Sequence, residues 1–210
     1  MPQARRERQK KCCGCIFSLG ALALCLWLLF VTTKPTCSIE EFDVFALTKT
    51  IPSSSPTGHN NTIYYDLKLK NRNFNKGIYY DTLNLTFYYK PNLVNDFPIG
   101  NATFTPFYQG HRKSTHRFGD IEAKGVKWEH ITKLAIFRVE LATSVRYKHL
   151  LWKTKRRRFM VGADLKVNDE GSLVKVKGKK GIKLTSNAKN DIGHFQVLGI
   201  LGILLFIHSC

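Results

Sequence analysis

Apolar and polar residues alternate with a period of two through most of the chain's middle. TIYYDLKL sets Ile63, Tyr65, Leu67 and Leu69 on one face, with Tyr64, Asp66 and Lys68 on the other. TLNLTFYY does the same with Leu83, Leu85, Phe87 and Tyr89 against Thr82, Asn84, Thr86 and Tyr88. AIFRVEL turns Phe137, Val139 and Leu141 inward, and RFMVGADLKV groups Phe159, Val161, Ala163, Leu165 and Val167. LVKVKGKKGIKL continues the pattern with its lysines outward. Turns separate these runs at Asn75-Lys76-Gly77, Pro98-Ile99-Gly100 and Asn168-Asp169-Glu170-Gly171. Short strands at regular spacing predict a mostly β fold, an antiparallel β-sandwich of immunoglobulin or fibronectin kind. One minor helix is expected around residues 127–133.

Two segments break the alternation. CCGCIFSLGALALCLWLLFVTT, residues 12–33, holds no charge. Its most apolar part, Cys15 to Val31, is about 17 residues, the lower limit for a helix that spans a bilayer. The apolar region of a cleaved signal peptide is shorter, roughly 7–15 residues, so an uncleaved signal-anchor is the stronger reading. Ahead of it, Arg5, Arg6, Arg8, Lys10 and Lys11 oppose only Glu7. Short basic flanks stay cytosolic, which places the main domain on the other side. Cys12, Cys13 and Cys15 at the cytosolic boundary are either palmitoylation candidates or small residues at a helix end.

The second segment is the C-terminal VLGILGILLFIHSC, too short to span as a helix. It has the order of a GPI-attachment signal: the small triplet Ser186-Asn187-Ala188, a spacer from Lys189 to Gln196, and an apolar tail from Val197 to Ile207. Ser186 is the expected attachment residue. Asn187 is the alternative, although it puts Lys189 where a small residue is wanted. A retained tail docked on the bilayer is the competing reading. The expected organisation is a cytosolic tail at 1–11, a transmembrane signal-anchor at 12–33, a linker and first strand region at 34–60, the extracellular sandwich at 61–185 and a removed signal at 186–210.

This topology changes the meaning of several residues. N-glycosylation sequons start at Asn60, Asn84 and Asn101, all beyond the first apolar segment. Asn84 falls on the polar face of its strand. Cys37 is the one cysteine expected in the mature outer domain, so it either links two chains into a homodimer or is a shielded thiol. The net charge of +18 would by itself suggest nucleic acid or an anionic surface. A domain outside the cytosol meets no nucleic acid. The run from Lys153 to Arg158 then becomes a solvated strand connection, or a contact for acidic polysaccharide or lipid headgroups.

No catalytic spacing is present: no His-Glu-x-x-His, phosphate loop, Gly-x-Ser-x-Gly or dinucleotide fingerprint occurs. His111 and His116 in GHRKSTH lack an evident third ligand, and Arg112, Lys113 and Arg117 repel a cation. A loop histidine pair is the simpler account. No enzyme, metal or cofactor is expected.

KPTCSIEEF, NKGIYYDTLNLTFYY, FYQGHRKSTH and LLWKTKRRRFMVGADLKV cover most of residues 34–168. These stretches resemble the plant family of non-race-specific disease resistance and harpin-induced proteins, whose shared domain is the group-two late embryogenesis abundant type. The resemblance implies a plasma-membrane protein acting in the hypersensitive response to bacterial pathogens. It also implies a sandwich facing the cell wall and a cytosolic tail available to an immune regulator protein. The family commonly carries Asn-Pro-Asn before the Gly-Ile-Tyr-Tyr run, whereas this chain reads Asn71-Arg72-Asn73-Phe74-Asn75. Arginine does not fix φ as proline does, so a different turn shape is expected there. No Arg-Gly-Asp or Asn-Gly-Asp tripeptide occurs. The competing class is a protective protein of dehydration stress, for which two membrane signals would be superfluous.

Overall fold

The computed structural model describes residues 17–25, 31–48, 61–91, 96–128, 131, 134–149, 152–175 and 177–186. The chain forms two compact units, residues 1–32 with 188–210, and residues 33–187. In the first unit, residues 17–25 are helical and exposed. Among the described residues no helix is long and apolar enough to cross a membrane. Residues 12–16 and 26–30 of the expected anchor at 12–33 lie outside them, as do Cys12, Cys13, Cys15, Asn60 and Asn187.

The second unit is antiparallel β structure. Its strands are β1 (Thr36–Val44), β2 (Thr62–Lys70), β3 (Gly77–Tyr80), β4 (Leu83–Tyr89), β5 (Phe97–Phe104), β6 (Phe107–Gln109), β7 (Ser114–Glu122), β8 (Ala135–Lys148), β9 (Arg157–Val167) and β10 (Ile182–Leu184). One sheet runs β10-β1-β2-β7. The other is organised on the long β8. One edge of β8 pairs with β4 along residues 137–142 and with β3 along 145–148, while the other edge pairs with β9. Strands β3 and β4 are thus one line broken at Asp81-Thr82. Strands β5 and β6 repeat that break outside them.

The inward rows are those the alternation predicts. Ile63, Tyr65, Leu67 and Leu69 of β2 are buried, as are Leu83, Leu85 and Phe87 of β4 and Phe137, Val139 and Leu141 of β8. Rings bridge the two sheets: Phe42 lies 5.4 Å from Phe137, and Tyr65 lies 4.9 Å from Phe87, centroid to centroid. Burying each such side chain stabilises the fold by about 1.5–3 kcal/mol, which is what holds the sheets face to face. Gly162 and Thr185 exchange two backbone hydrogen bonds of 2.9 Å, joining β9 to the end of β10 across the sandwich edge.

Three expectations need correction. Pro98-Ile99-Gly100 is not a turn but part of β5. This is an outer strand, where a proline's missing N–H is tolerated, and Ile99 is buried as the extra residue of a bulge. LVKVKGKKGIKL is not one strand. Leu173 makes an isolated bridge, Gly178 turns at φ 81°, and pairing resumes only at β10. The intervening KGKKG has no apolar side chain to bury. The sandwich also begins before residue 61, because β1 sits between β10 and β2 and puts Ile39, Phe42 and Val44 in the core. Of the minor helix expected around 127–133, the described residues give a turn closed by Ile131 N–H on the Trp128 carbonyl at 3.1 Å, with Trp128 buried. Residues 129–130 and 132–133 lie outside the description.

Candidate functional site

Register decides which loops meet at each end of the sandwich. Thr36, the first residue of β1, lies opposite Lys70, the last of β2, and Lys70 lies opposite Ser114, the first of β7. Gly77 opens β3 opposite Lys148, the last residue of β8. The entry at 33–35, the β2–β3 loop at 71–76, the β6–β7 turn at 110–113 and the β8–β9 hairpin therefore share one end.

Two buried asparagines stitch that end together. Asn71 Nδ2 donates to the carbonyls of Lys76 (2.7 Å) and Gly110 (3.0 Å). Its Oδ1 accepts from the backbone N–H of Asn73 (3.0 Å) and from Asn73 Nδ2 (2.9 Å). Asn73 in turn clamps Thr33, accepting its N–H on Oδ1 at 2.7 Å and donating Nδ2 to its carbonyl at 2.8 Å. Below this pair, buried Gln109 donates Nε2 to the Leu69 carbonyl and to Thr115 Oγ1, and accepts from Tyr80 O–H. The polar NRN stretch is the hub that fixes where the chain enters the sandwich. With this hub closed, Arg72 is left on the exposed surface.

The outside of the same end carries cations and rings. The Arg112 guanidinium sits 4.6 Å from the centre of the Phe74 ring, and Arg112 itself takes the left-handed conformation at φ 55°. Lys153 Nζ lies 4.3 Å over Tyr79 and Lys148 Nζ 5.7 Å over Tyr108, the two tyrosine rings being 4.6 Å apart. Gly77 makes that seat possible, because a Cβ there would run into the Tyr108 ring and hydroxyl. His149 stacks on Trp152 at 5.0 Å. Burial, then the nearby Lys76 ammonium, push the His149 pKa below its ordinary value, and burial lowers that of Lys76. Loops 71–76, 110–113 and 149–156 contain no aspartate or glutamate. Such a surface suits anions and polarisable or amphipathic groups.

The run from Lys153 to Arg158 forms one flank of this end, with Arg156 Nε on Asp81 at 3.0 Å. Lys76 was expected in a turn, yet it is 1% exposed. His111 lies in the turn, but His116 is on β7 and is no loop partner to it. His116 Nδ1 meets Asp66 Oδ2 at 2.8 Å on the outer face of the first sheet. Glu40 completes a trio whose possible ligand atoms lie within 4.8 Å of one another. Lys68 Nζ already rests on Glu40 at 2.8 Å, so an ammonium supplies the positive charge among these groups. That hydrogen bond, the largest influence on Glu40, lowers its pKa.

The remaining sequence candidates are dispersed. Asn84 and Asn101 are exposed on neighbouring strands, and Asn84 Oδ1 accepts from Thr103 Oγ1 at 3.3 Å. Ser186 is exposed just beyond β10. Cys37 is not placed to link two chains: it is 1% exposed, and burial pushes its thiol pKa up to about 12. Neither thiolate chemistry nor access favours a cross-link at this position.

These features define an antiparallel sandwich with a rigid interior and a basic, aromatic end next to its chain entry. No family model matches the chain. Protein NDR1 of Arabidopsis thaliana is 39% identical over 214 residues, an alignment covering 95% of this chain and 94% of that protein. The chain belongs to the non-race-specific disease resistance and harpin-induced protein family.

Proposed function

We propose that this chain is a plasma-membrane protein of plant immunity, required for disease-resistance signalling and the hypersensitive response to bacterial pathogens. The observation that carries this reading is the breadth of the likeness to Protein NDR1, which takes in 95% of the chain and so reaches beyond the sandwich. In this reading residues 12–33 anchor the protein and residues 1–11 offer a cytosolic immune regulator a basic docking tail. The sandwich stands in the apoplast, where Asn60, Asn84 and Asn101 receive glycans. The segment after Ser186 is exchanged for a GPI lipid, and the outer domain connects membrane with cell wall. The protein works by binding and anchoring, without catalysis.

Complementation tests the reading. Expression of this chain in Arabidopsis lacking Protein NDR1 restores restriction of bacterial growth. A line that gains drying tolerance but still supports bacterial growth overturns the immune role in favour of dehydration protection. Digestion with an N-glycosidase lowers the apparent mass of the expressed protein, and an unchanged mobility contradicts the apoplastic orientation. An epitope tag placed after Cys210 is absent from mature surface protein; its persistence contradicts the lipid anchor.

A further inference from the structure

We propose that the basic, aromatic end of the sandwich is a phospholipid-headgroup face that lies on the bilayer anchoring the chain. This rests on the membrane attachment proposed above and adds an orientation and a ligand chemistry to it. Chain geometry is the first support. Asn73 holds Thr33, the last residue of the uncharged stretch 12–33, directly against this end. Strand β10 also runs toward it, since Leu184 lies opposite Cys37, the second residue of β1. Both attachments to a membrane would leave the sandwich here. A consecutive Cα step is about 3.8 Å, so an entry clamped this close to the apolar stretch leaves little slack to lift the end away.

Chemistry is the second and independent support. Arg72, Arg112 and Lys153 are exposed around this end, whose three loops hold no acid, and Arg156 is exposed beside them with Asp81 of the β3–β4 break as its partner. Asp43, Glu122, Asp169 and Glu170 stand at the opposite end, interleaved there with Lys90, Lys124, Lys127 and Lys175, so only the entry end has cationic loops free of acids. Clustered Lys and Arg beside a membrane anchor pair with the phosphate oxygens that every phospholipid headgroup carries, on either leaflet, and salt screens the contact beyond a Debye length. Phe74 is 71% exposed and Trp152 49% exposed, large apolar rings that are costly to leave in water and that favour the headgroup boundary. Arg112 over Phe74 pairs a phosphate-binding guanidinium with a ring at one spot, as an interfacial contact requires. A wall polysaccharide offers anions too, but it lies beyond the membrane, toward the opposite end of a sandwich tethered in this way.

The test uses the full chain carrying Trp27→Phe, reconstituted in phosphatidylcholine vesicles with and without about 30% phosphatidylserine. Trp128 and Trp152 then remain, and Trp128 is 6% exposed in the core. Brominated acyl chains should quench the Trp152 emission, more strongly with phosphatidylserine, and the further change Trp152→Phe should abolish the quenching. The triple variant Arg112→Glu, Lys153→Glu, Arg156→Glu should lose the quenching while keeping the wild-type near-UV spectrum. If that variant misfolds, the single change Lys153→Glu must still reduce the quenching. Protein that floats with the vesicles yet keeps Trp152 unquenched overturns this proposal and leaves the anchoring intact. Protein that fails to float overturns the anchoring reading. Trp152 emission that responds to soluble polygalacturonate and not to the lipid overturns the headgroup face in favour of a polysaccharide one.

Discussion

The two ends of the sandwich solve the same closure problem with different materials. At the entry end, side-chain amides do the closing: Asn71 and Asn73 satisfy backbone groups of three separate segments. At the far end, a backbone hydrogen bond and one amide within a single turn do the closing. Val44 N–H donates to the Gly171 carbonyl at 2.7 Å, and Asn168 Oδ1 caps the N–H groups of Glu170 and Ser172 within one short turn. The entry end joins loops distant in sequence and holds cations. The far end docks one contiguous turn, residues 168–171, on the end of β1 and holds Asp169 and Glu170 in that turn. The strands between are fixed by packing, so charge can be segregated at the ends at little cost to the core.

Removing the amide hub separates the two ends most sharply. Asn71→Ala removes the donor to the Lys76 and Gly110 carbonyls and the acceptor of the Asn73 N–H and Nδ2, while the Gly110 carbonyl keeps the longer bond from Lys113 N–H at 3.4 Å. Unsatisfied buried polar groups cost about 1–3 kcal/mol each before relaxation, so a loss of about 2–4 kcal/mol is expected. For a unit of this size that lowers the thermal midpoint by roughly 5–10 °C. The same variant should free Thr33, raising protease cleavage near residues 33–35. A midpoint within about 1 °C of wild type would show that the hub does not hold the entry.

The far end is tested at Gly171, whose φ is 83° and whose missing Cβ leaves room for the Val44 carbonyl. Gly171→Ala forces both a disfavoured conformation and a displacement of β1. The expected cost is about 1–3 kcal/mol, smaller than at the hub because the turn can shift as a unit. Urea unfolding measures it, and an unchanged midpoint would mean that the far end is not closed through Gly171.

Much of this contrast was legible in the sequence at one end and little of it at the other. Asn168 to Gly171 reads as a turn because its residues are contiguous and Gly171 supplies positive φ. The strand faces were equally plain, because Leu67, Phe87 and Phe137 obey a period that only one sheet face can bury. The entry end was visible only as fragments: a charge run at 153–158, a histidine motif at 111–116 and a departure from the Asn-Pro-Asn pattern at 71–75. Their meeting depends on the registers Thr36 with Lys70 and Gly77 with Lys148, which local periodicity cannot supply. The burial of Lys76 is hidden for the same reason. A lysine beside Asn75 and Gly77 has turn chemistry, and its burial follows from loops brought over it by other strands.

A smaller effect separates residues that hold the entry end from those that merely stand on it. Arg156 is 65% exposed at its side chain and pairs with Asp81 in water. Exposed pairs contribute about 0.2–1 kcal/mol, so Arg156→Ala should move the thermal midpoint by no more than about 2 °C. A loss as large as that of Asn71→Ala would assign the arginine a structural part and erase the distinction between hub and surface.

The smallest effect is a pH dependence confined to the entry end. His149 stacks on Trp152, and both burial and the Lys76 ammonium disfavour its protonation, holding its folded pKa below the ordinary 6.5. The unfolded chain therefore takes up a proton at higher pH than the folded one does. The stability that comes with the neutral ring is fully present above about pH 6.5 and is lost as pH falls through the depressed folded value. Glu40, on the outer face of the first sheet, has its pKa lowered by Lys68 from an ordinary 4.5, so its contribution persists to lower pH and fades only as pH falls through a value beneath that. Thermal midpoints at pH 7 and pH 5 divide the two groups. Wild type should lose more stability over that interval than His149→Gln, which has no proton to bind, while Glu40→Gln should leave the interval unchanged. An equal drop in wild type and His149→Gln would remove this histidine from the acid response.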